Sequence, residues 1–447
     1  MLSALLAILL SGFRPACGPL DLDTALGLAA ERSDEVAIKD AEVAVARADE
    51  SIAGALRILP EAAVTLVAGP APEARGSVVS SPNSNRSFAG LGPFGRLDVH
   101  AVQPLFTWGR LDAARDAAAA GVSAREDLLR YTTSQVQLRV VELYWGVSLA
   151  KRLLAISAEV EGALTDADRR VARSLERGDG DVGPSDRYRL DLFRAVVRMM
   201  SAEAQRGLEL ARVGLAATLR ITPERLALRE EPLDPRAAEL PDPVAARAAA
   251  EKQRFDLRAL EAAIAARDSE VAAAEASRMP QVFLAGLFSY GYAPNRDIQL
   301  NPWVRDEFNV FNLGVVIGLR QDLSFPMLSG KVEKARAERD ALARQRDGLA
   351  LLVQVQVDTA LADLKAADAR LAAARAALGS GRALFRSVGL DFSAGLIEAR
   401  VLIESYALYV ETQFAAARSA YDLLVARARL ARAVGEPPRG GAACELP

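Results

Sequence analysis

Along most of this chain apolar residues return every three or four positions, and in four short stretches they return every second one. The clearest long pattern begins at Leu364 and steps by sevens through Leu371, Leu378 and Phe385, with Ala367, Ala374 and Val388 completing the stripe. That is a coiled-coil seam. The same spacing resumes at Leu402, Tyr409, Ala416, Leu423 and Leu430. With a break at Gly379 to Gly381 and a turn near Gly389 to Gly395, the pair predicts an antiparallel helical hairpin. Lys331 to Val388, if one helix, would run for roughly 85 Å. An earlier hairpin rises from Gly109 to about Glu176, turns over Arg177 to Pro184, and returns from Ser185 to Arg220, capped by Ser185 or Asp186.

The period-two stretches read as strands. In Phe94 to Gln103, Leu97, Val99 and Ala101 oppose Arg96, Asp98 and His100. In Phe311 to Leu319, five apolar side chains oppose Asn312, Gly314 and Gly318. Ala62 to Ala68 and Gln281 to Tyr292 are of similar kind, and Phe288, Tyr290 and Tyr292 share a face suited to an aromatic girdle. Gly69 to Pro93 and Ala293 to Asn309 read as exposed loops. Pro104 and Pro326 are expected to end strands, because proline donates no ladder hydrogen bond.

The order helix, strand, loop, strand, long hairpin therefore occurs twice. The divisions are an export signal at 1–18, a first repeat at 19–220, a Pro-rich joint at 221–242, a second repeat at 243–434 and a disordered tail at 435–447. The fold class is α+β, a duplicated unit of long antiparallel coiled-coil hairpins with four β-strands. Four strands leave unpaired edges that lipid does not tolerate, so the chain must oligomerise. Two copies give eight strands and a filled interior; three give twelve and a passable lumen. We take the trimer.

Composition narrows the chemistry. The uncharged run Leu2 to Leu10 has the length of a signal-peptide core, well short of a spanning helix. Cys17 is a candidate lipid-attachment cysteine, although Arg14 stands where such sites favour an aliphatic residue. One histidine and two cysteines among 447 residues cannot build a His/Cys metal cluster or a redox CxxC site, so no metal or cofactor is expected. With 55 basic against 58 acidic residues, no net field draws the chain to nucleic acid.

The strings Gln103-Pro-Leu-Phe-Thr-Trp-Gly-Arg110 and Phe325-Pro-Met-Leu-Ser-Gly-Lys331 mark the two strand-to-helix junctions, with Pro104, Gly109, Arg110, Pro326, Gly330 and Lys331 as their key positions. Together with the stretch from Phe255-Asp256-Leu257-Arg258 to Arg278-Met279-Pro280-Gln281, they resemble the TolC-like outer-membrane efflux factor family. In that family the last stretch opens on Arg-Pro-Asp-Leu with a later glutamate. Here Phe255 replaces the proline, while Asp256, Leu257, Arg258 and Glu261 remain.

The resemblance implies a homotrimer with a twelve-stranded barrel in the outer membrane and a periplasmic helical tunnel. Its partners would be outer-membrane lipid, a periplasmic adaptor and an inner-membrane pump. It also implies an aperture at the hairpin turns, where a glycine is followed six and nine residues later by positions that are often acidic. Gly180 places Asp186 and Arg189 there in the first repeat; Gly389, beside Leu390, places Gly395 and Glu398 there in the second. Asp186 is a candidate both for helix cap and for gate carboxylate, and Glu398 for gate carboxylate.

Three function classes compete. The leading one is a passive outer-membrane conduit of a tripartite efflux or type I secretion system. A non-channel coiled-coil protein of the periplasm would explain the heptads but not the strands. An enzyme would need acid and base groups, and the carboxylates here are helix-surface partners of arginine.

Overall fold

The computed structural model describes residues 19–77, 85–177, 183–299, 301, 303 and 306–437. The signal-like run with Cys17, Gly180 and tail residues 438–447 lie outside these. Helices α1 (Leu22–Arg32) and α2 (Asp34–Ala55) lead into strands β1 (Glu61–Arg75) and β2 (Asn85–Phe106), then α3 (Arg110–Arg177) and α4 (Pro184–Leu219). After a joint, α5 (Pro243–Gln253) and α6 (Phe255–Ala276) lead into β3 (Gln281–Tyr292) and β4 (Val310–Arg320), then α7 (Phe325–Ser393) and α8 (Ala399–Val434). The class is α+β, with helix predominating.

The chain divides into two compact units that cut across the sequence order. One, mainly helical, comprises 1–41, 127–258 and 347–447; the other, which holds the sheet, comprises 42–126 and 259–346. In the helical unit the heptad positions do what their spacing requires. Val357, Leu364, Ala367 and Leu371 of α7 pack on Leu423 and Leu430 of α8, together with Ala246 and Ala250 of α5. A second cluster joins Ile156, Val160 and Leu164 of α3 to Leu190 and Val197 of α4 and Phe414 of α8. A third seats α1, through Leu22, Ala25 and Leu26, on Val136, Val140 and Tyr144 of α3 and Leu215 and Leu219 of α4. Burial of each large side chain contributes roughly 1.5 to 3 kcal/mol, and the interleaved alanines let the helices approach.

Two helical expectations are corrected. No break occurs at Gly379 to Gly381: α7 runs unbroken for 69 residues, about 104 Å at the standard rise, rather than from Lys331 to Val388. Gly381 serves packing instead, since a Cβ there would lie 3.1 Å from Thr412 Oγ1 and 3.5 Å from Tyr409 Cα. A mid-helix glycine costs about 1 kcal/mol, which the seam on either side outweighs. The cap of α4 also differs. Its N-cap is Gly183, Pro184 follows, and Asp186 at the third helical position accepts a hydrogen bond from Gly183 N at 3.0 Å. Proline's missing N–H is harmless in a first helical turn, which displaces the cap to Gly183.

The joint is strapped down rather than free. Leu20 and Leu228 form a parallel bridge, Leu226 is buried, and Ala238 N donates to Asp368 at 2.8 Å.

The sheet is antiparallel in the order β1-β2-β3-β4. Gly69 to Pro93 is not simply a loop, as its composition suggested. β1 and β2 remain paired through Gly69 with Phe94, Pro70 with Pro93 and Ala71 with Gly92, and resume after a bulge at Glu73. The two prolines face each other beyond the end of β3, where β2 has no second neighbour to satisfy, so the missing donors cost little.

Candidate functional site

The register sorts the sheet into two faces. Val64, Val99, Phe288 and Leu313 stand in one cross-strand row, and Leu66, Leu97, Tyr290 and Phe311 in the next. This face is apolar and open: Leu66 is 76% exposed and Ile317 73%. On the opposite face one row is Thr65, Asp98, Ser289 and Asn312. There Arg96 Nε lies 2.9 Å from Asp98, and Ser289 Oγ donates to the same carboxylate at 2.7 Å. Among the described residues no strand pairs with the outer edges of β1 and β4, so both ladders stay open. The first face is apolar, whereas the second carries this internally satisfied polar row together with exposed Val67, Leu287 and Val316, an asymmetry that suits lipid on the first side and water on the second.

At the far end of the sheet, Asn295, Arg296 and Asp297 lace the two β-hairpins together. Asn295 Nδ2 donates to Ala71 O at 2.9 Å and Gly90 O at 3.0 Å, while Arg296 donates to Pro72 O at 2.7 Å. Gly92 is required here, because a Cβ would come within 2.4 Å of Asn295 Cγ. Asp297 accepts from Gly76 N at 2.8 Å and pairs with Arg75 at 3.3 Å. The Gly76 N–H, ahead of the arginine, holds the Asp297 carboxyl below its usual range.

The junctions depart from expectation in position. Pro104 does not end β2; it sits opposite Phe283, and a register shift follows before Phe106. The bulge absorbs the missing donor. Trp108 (φ 54°) and Gly109 (φ 80°) then make a left-handed turn into α3, which is why a glycine stands there. Trp108 Nε1 donates to Pro280 O at 2.7 Å, and Arg110 to Gln281 at 3.2 Å, tying the first junction to the start of β3. In the second repeat β4 ends at Arg320. Pro326, Gly330 and Lys331 all lie inside α7, so the junction is 321–324. Proline is at home in that first turn.

Two glutamines carry an equivalence that the sequence reading did not single out. Gln103 Nε2 donates to Arg57 O at 2.7 Å and Pro104 O at 2.8 Å. Gln321 Nε2 donates to Arg278 O at 2.9 Å and Asp322 O at 3.1 Å. Each closes the turn between a helix and its strand. The signal was present only as a glutamine at the end of each second strand.

At the hairpin tips, Asp186 and Glu398 come together around an open cleft of about 550 Å³ that Arg189, Leu396 and Arg400 also line. Asp186 is buried, bonded to Gly183 N and to Arg189 at 2.7 Å. Glu398, the N-cap of α8, is exposed, with Arg400 3.6 Å away. Gly389 and Leu390 do not line this cleft; they belong to the last turn of α7. Gly395 (φ 72°) makes the turn in their place.

Residues 247–436 match the model of a family described as outer membrane efflux protein. That match covers less than half of the chain. The chain's fold agrees with solved channels. The outer-membrane channel OprN aligns at TM-score 0.74 and 18% identity over 93% of this chain and 89% of its own. The Campylobacter jejuni outer membrane channel CmeC aligns at 0.74 and 14%, over 93% and 85%. The Vibrio cholerae outer membrane protein VceC aligns at 0.72 and 18%, over 94% and 97%. No curated protein gives a significant sequence match.

Inside the efflux-protein segment the motif residues have structural work. Arg254, buried, grips Asp256 through two bonds of 2.6 and 3.0 Å and reaches Gln356 at 2.6 Å. Leu257 is buried in the core with α7, Glu261 holds Arg346 at 3.0 Å, and Phe255 lies under Arg258. Among the described residues there is no group of three or more His, Cys, Asp or Glu side chains placed to hold a metal, and no helix long and apolar enough to cross a membrane.

Proposed function

We propose that this protein belongs to the outer membrane efflux family and is the outer-membrane channel of a tripartite efflux or type I secretion system. It is a passive trans-periplasmic conduit for small molecules or proteins, driven by an inner-membrane pump through a periplasmic adaptor. The observation that carries the reading is the sheet, with its one exposed apolar face, its polar face and its two open edges. Three copies closing edge to edge give twelve strands and remove every unpaired ladder from lipid. The sheet is also what the alternative, a periplasmic coiled-coil structural protein, leaves without a purpose. Transport of this kind needs no catalytic residue in the chain.

Within this reading the two repeats are duplicated halves, each contributing two strands and one hairpin, and Asp186 and Glu398 line the periplasmic aperture in triplicate. Six carboxylates around a narrow opening would favour cations once released from Arg189 and Arg400. The bond from Gly183 N folds Asp186 back onto its own helix and Arg189 pairs with it there, so freeing that carboxylate would accompany a widening of the tip. The protein purified in detergent should run as a heat-resistant trimer. A monomer that stays soluble without detergent would overturn the proposal.

A further inference from the structure

The turn that opens β3 gathers groups from both repeats. Trp108 bonds to Pro280 O, Arg110 to Gln281, and Gln321 to Arg278 O, so the two strand-to-helix junctions converge on 278–281. Around this turn the apolar side chains are open to solvent: Phe106 52%, Trp108 47%, Met279 42%, Leu323 71% and Phe325 48% exposed. Phe106 and Trp108 meet edge to face at 5.0 Å, and Phe106 pairs with Val282 on the apolar face of the sheet. The patch is thus continuous with the lipid-facing surface and ends it.

Two cations border the patch. Arg278 is exposed and has no carboxylate partner among the described residues. Lys331 is exposed on the second turn of α7, within electrostatic reach of Asp322, whose carboxylate is occupied by Ser324. A ring whose N–H is fixed to a carbonyl and whose face is open suits the boundary between acyl chains and headgroups. Exposed cations at that level suit phosphate.

We propose that this patch is a phospholipid-binding collar, in which Phe106, Trp108 and Phe325 lie at acyl-headgroup depth and Arg278 and Lys331 hold the phosphates of anionic headgroups. The inference rests on the channel reading above and adds a lipid preference to it.

The full chain, assembled as a trimer in detergent, is moved into vesicles of phosphatidylcholine alone or mixed with phosphatidylglycerol, and conductance is recorded alongside. Bound lipid is then counted after mild detergent extraction. Phosphatidylglycerol should be retained over phosphatidylcholine, and R278E/K331E should lower that preference by roughly fivefold for each cation lost. Phosphatidylcholine brominated near the headgroup should quench an emission component that W108F lacks, while bromine at the chain end should leave it. Equal retention by the assembled variant, or no shallow quenching specific to Trp108 in a conducting preparation, overturns the collar but leaves the channel. Loss of conductance and of membrane insertion in the unaltered protein overturns both. Should the charge variant fail to assemble, the Trp108 quenching decides alone. Equal displacement of the retained lipid by free inorganic phosphate at millimolar levels also overturns the collar, since it reduces the site to anion binding.

Discussion

The sheet and the helical seams spend the same kinds of residue in opposite ways. In α7 and α8, Leu364, Leu371, Leu423 and Leu430 are buried against each other, while in β1 and β4 Leu66, Leu313, Val315 and Ile317 stand open in a single chain. Hydrophobicity alone does not separate the two regions. The period does, because a period of 3.6 with a seam buries its apolar side against another helix, and a period of two on an unaccompanied sheet leaves one whole face for a different solvent. The comparison teaches that the helical part carries its own core, whereas the sheet does not; in the proposed channel, lipid on one face and neighbouring strands at its edges complete it.

The sharpest way to break that comparison is to perturb each region by its own rule. Leu423→Ala empties a fully buried site in the helical core and should cost about 2 to 5 kcal/mol, read by thermal unfolding followed by circular dichroism, in detergent and in vesicles alike. Leu313→Arg should cost about 2 to 4 kcal/mol in a bilayer, seen as lost outer-membrane assembly, with much less effect in detergent. Equal effects of Leu313→Arg in both media would remove the distinction. Gln321→Ala should cost about 0.5 to 1.5 kcal/mol by removing the donor to two backbone carbonyls, and Gln103→Ala somewhat more, because Gln103 also accepts from Leu59 N at 2.6 Å. Hydrogen exchange of the turns at Arg57 and Arg278 reads this directly.

The smallest effects concern acid. Asp21, the N-cap of α1, is held below its usual range first by its side-chain bond from Thr24, so its contribution is present above the unfolded value near 4 and is lost as pH falls below it. Asp21→Ala should cost about 1 kcal/mol at neutral pH and nothing further in acid. Asp297 follows the same sign. Its tie to Gly76 and Arg75 should loosen as pH drops through the carboxylate range, seen as faster proteolysis of the loop at 293–309, and Asp297→Asn should be equally loose at neutral pH.

Much of this was legible in the residues. Heptads placed the long hairpins, alternation placed all four strands, and the string from Gln103 to Arg110 located the first strand-to-helix junction. What escaped depended on partners distant in sequence. Gly379 and Gly381 looked like a break because the contact that uses Gly381, with Thr412, lies on another helix. Gly69 to Pro93 looked like loop because its pairing is set by the opposite strand rather than by its own composition. Pro326 looked like a strand end because proline is as suited to a first helical turn as to a ladder's edge. At the tips, Asp186 and Glu398 were marked as gate carboxylates only by the family resemblance, and the bond from Gly183 that folds Asp186 back depended on where α4 begins.

The central claim is that three copies close this sheet around a water-filled path, and conductance of the purified protein in a planar lipid bilayer tests it most directly. The account predicts stepwise, ohmic insertion events from the trimer, absent for Leu313→Arg. A pure preparation that enters the bilayer as a trimer and passes no current, or one that never enters it, would contradict the account.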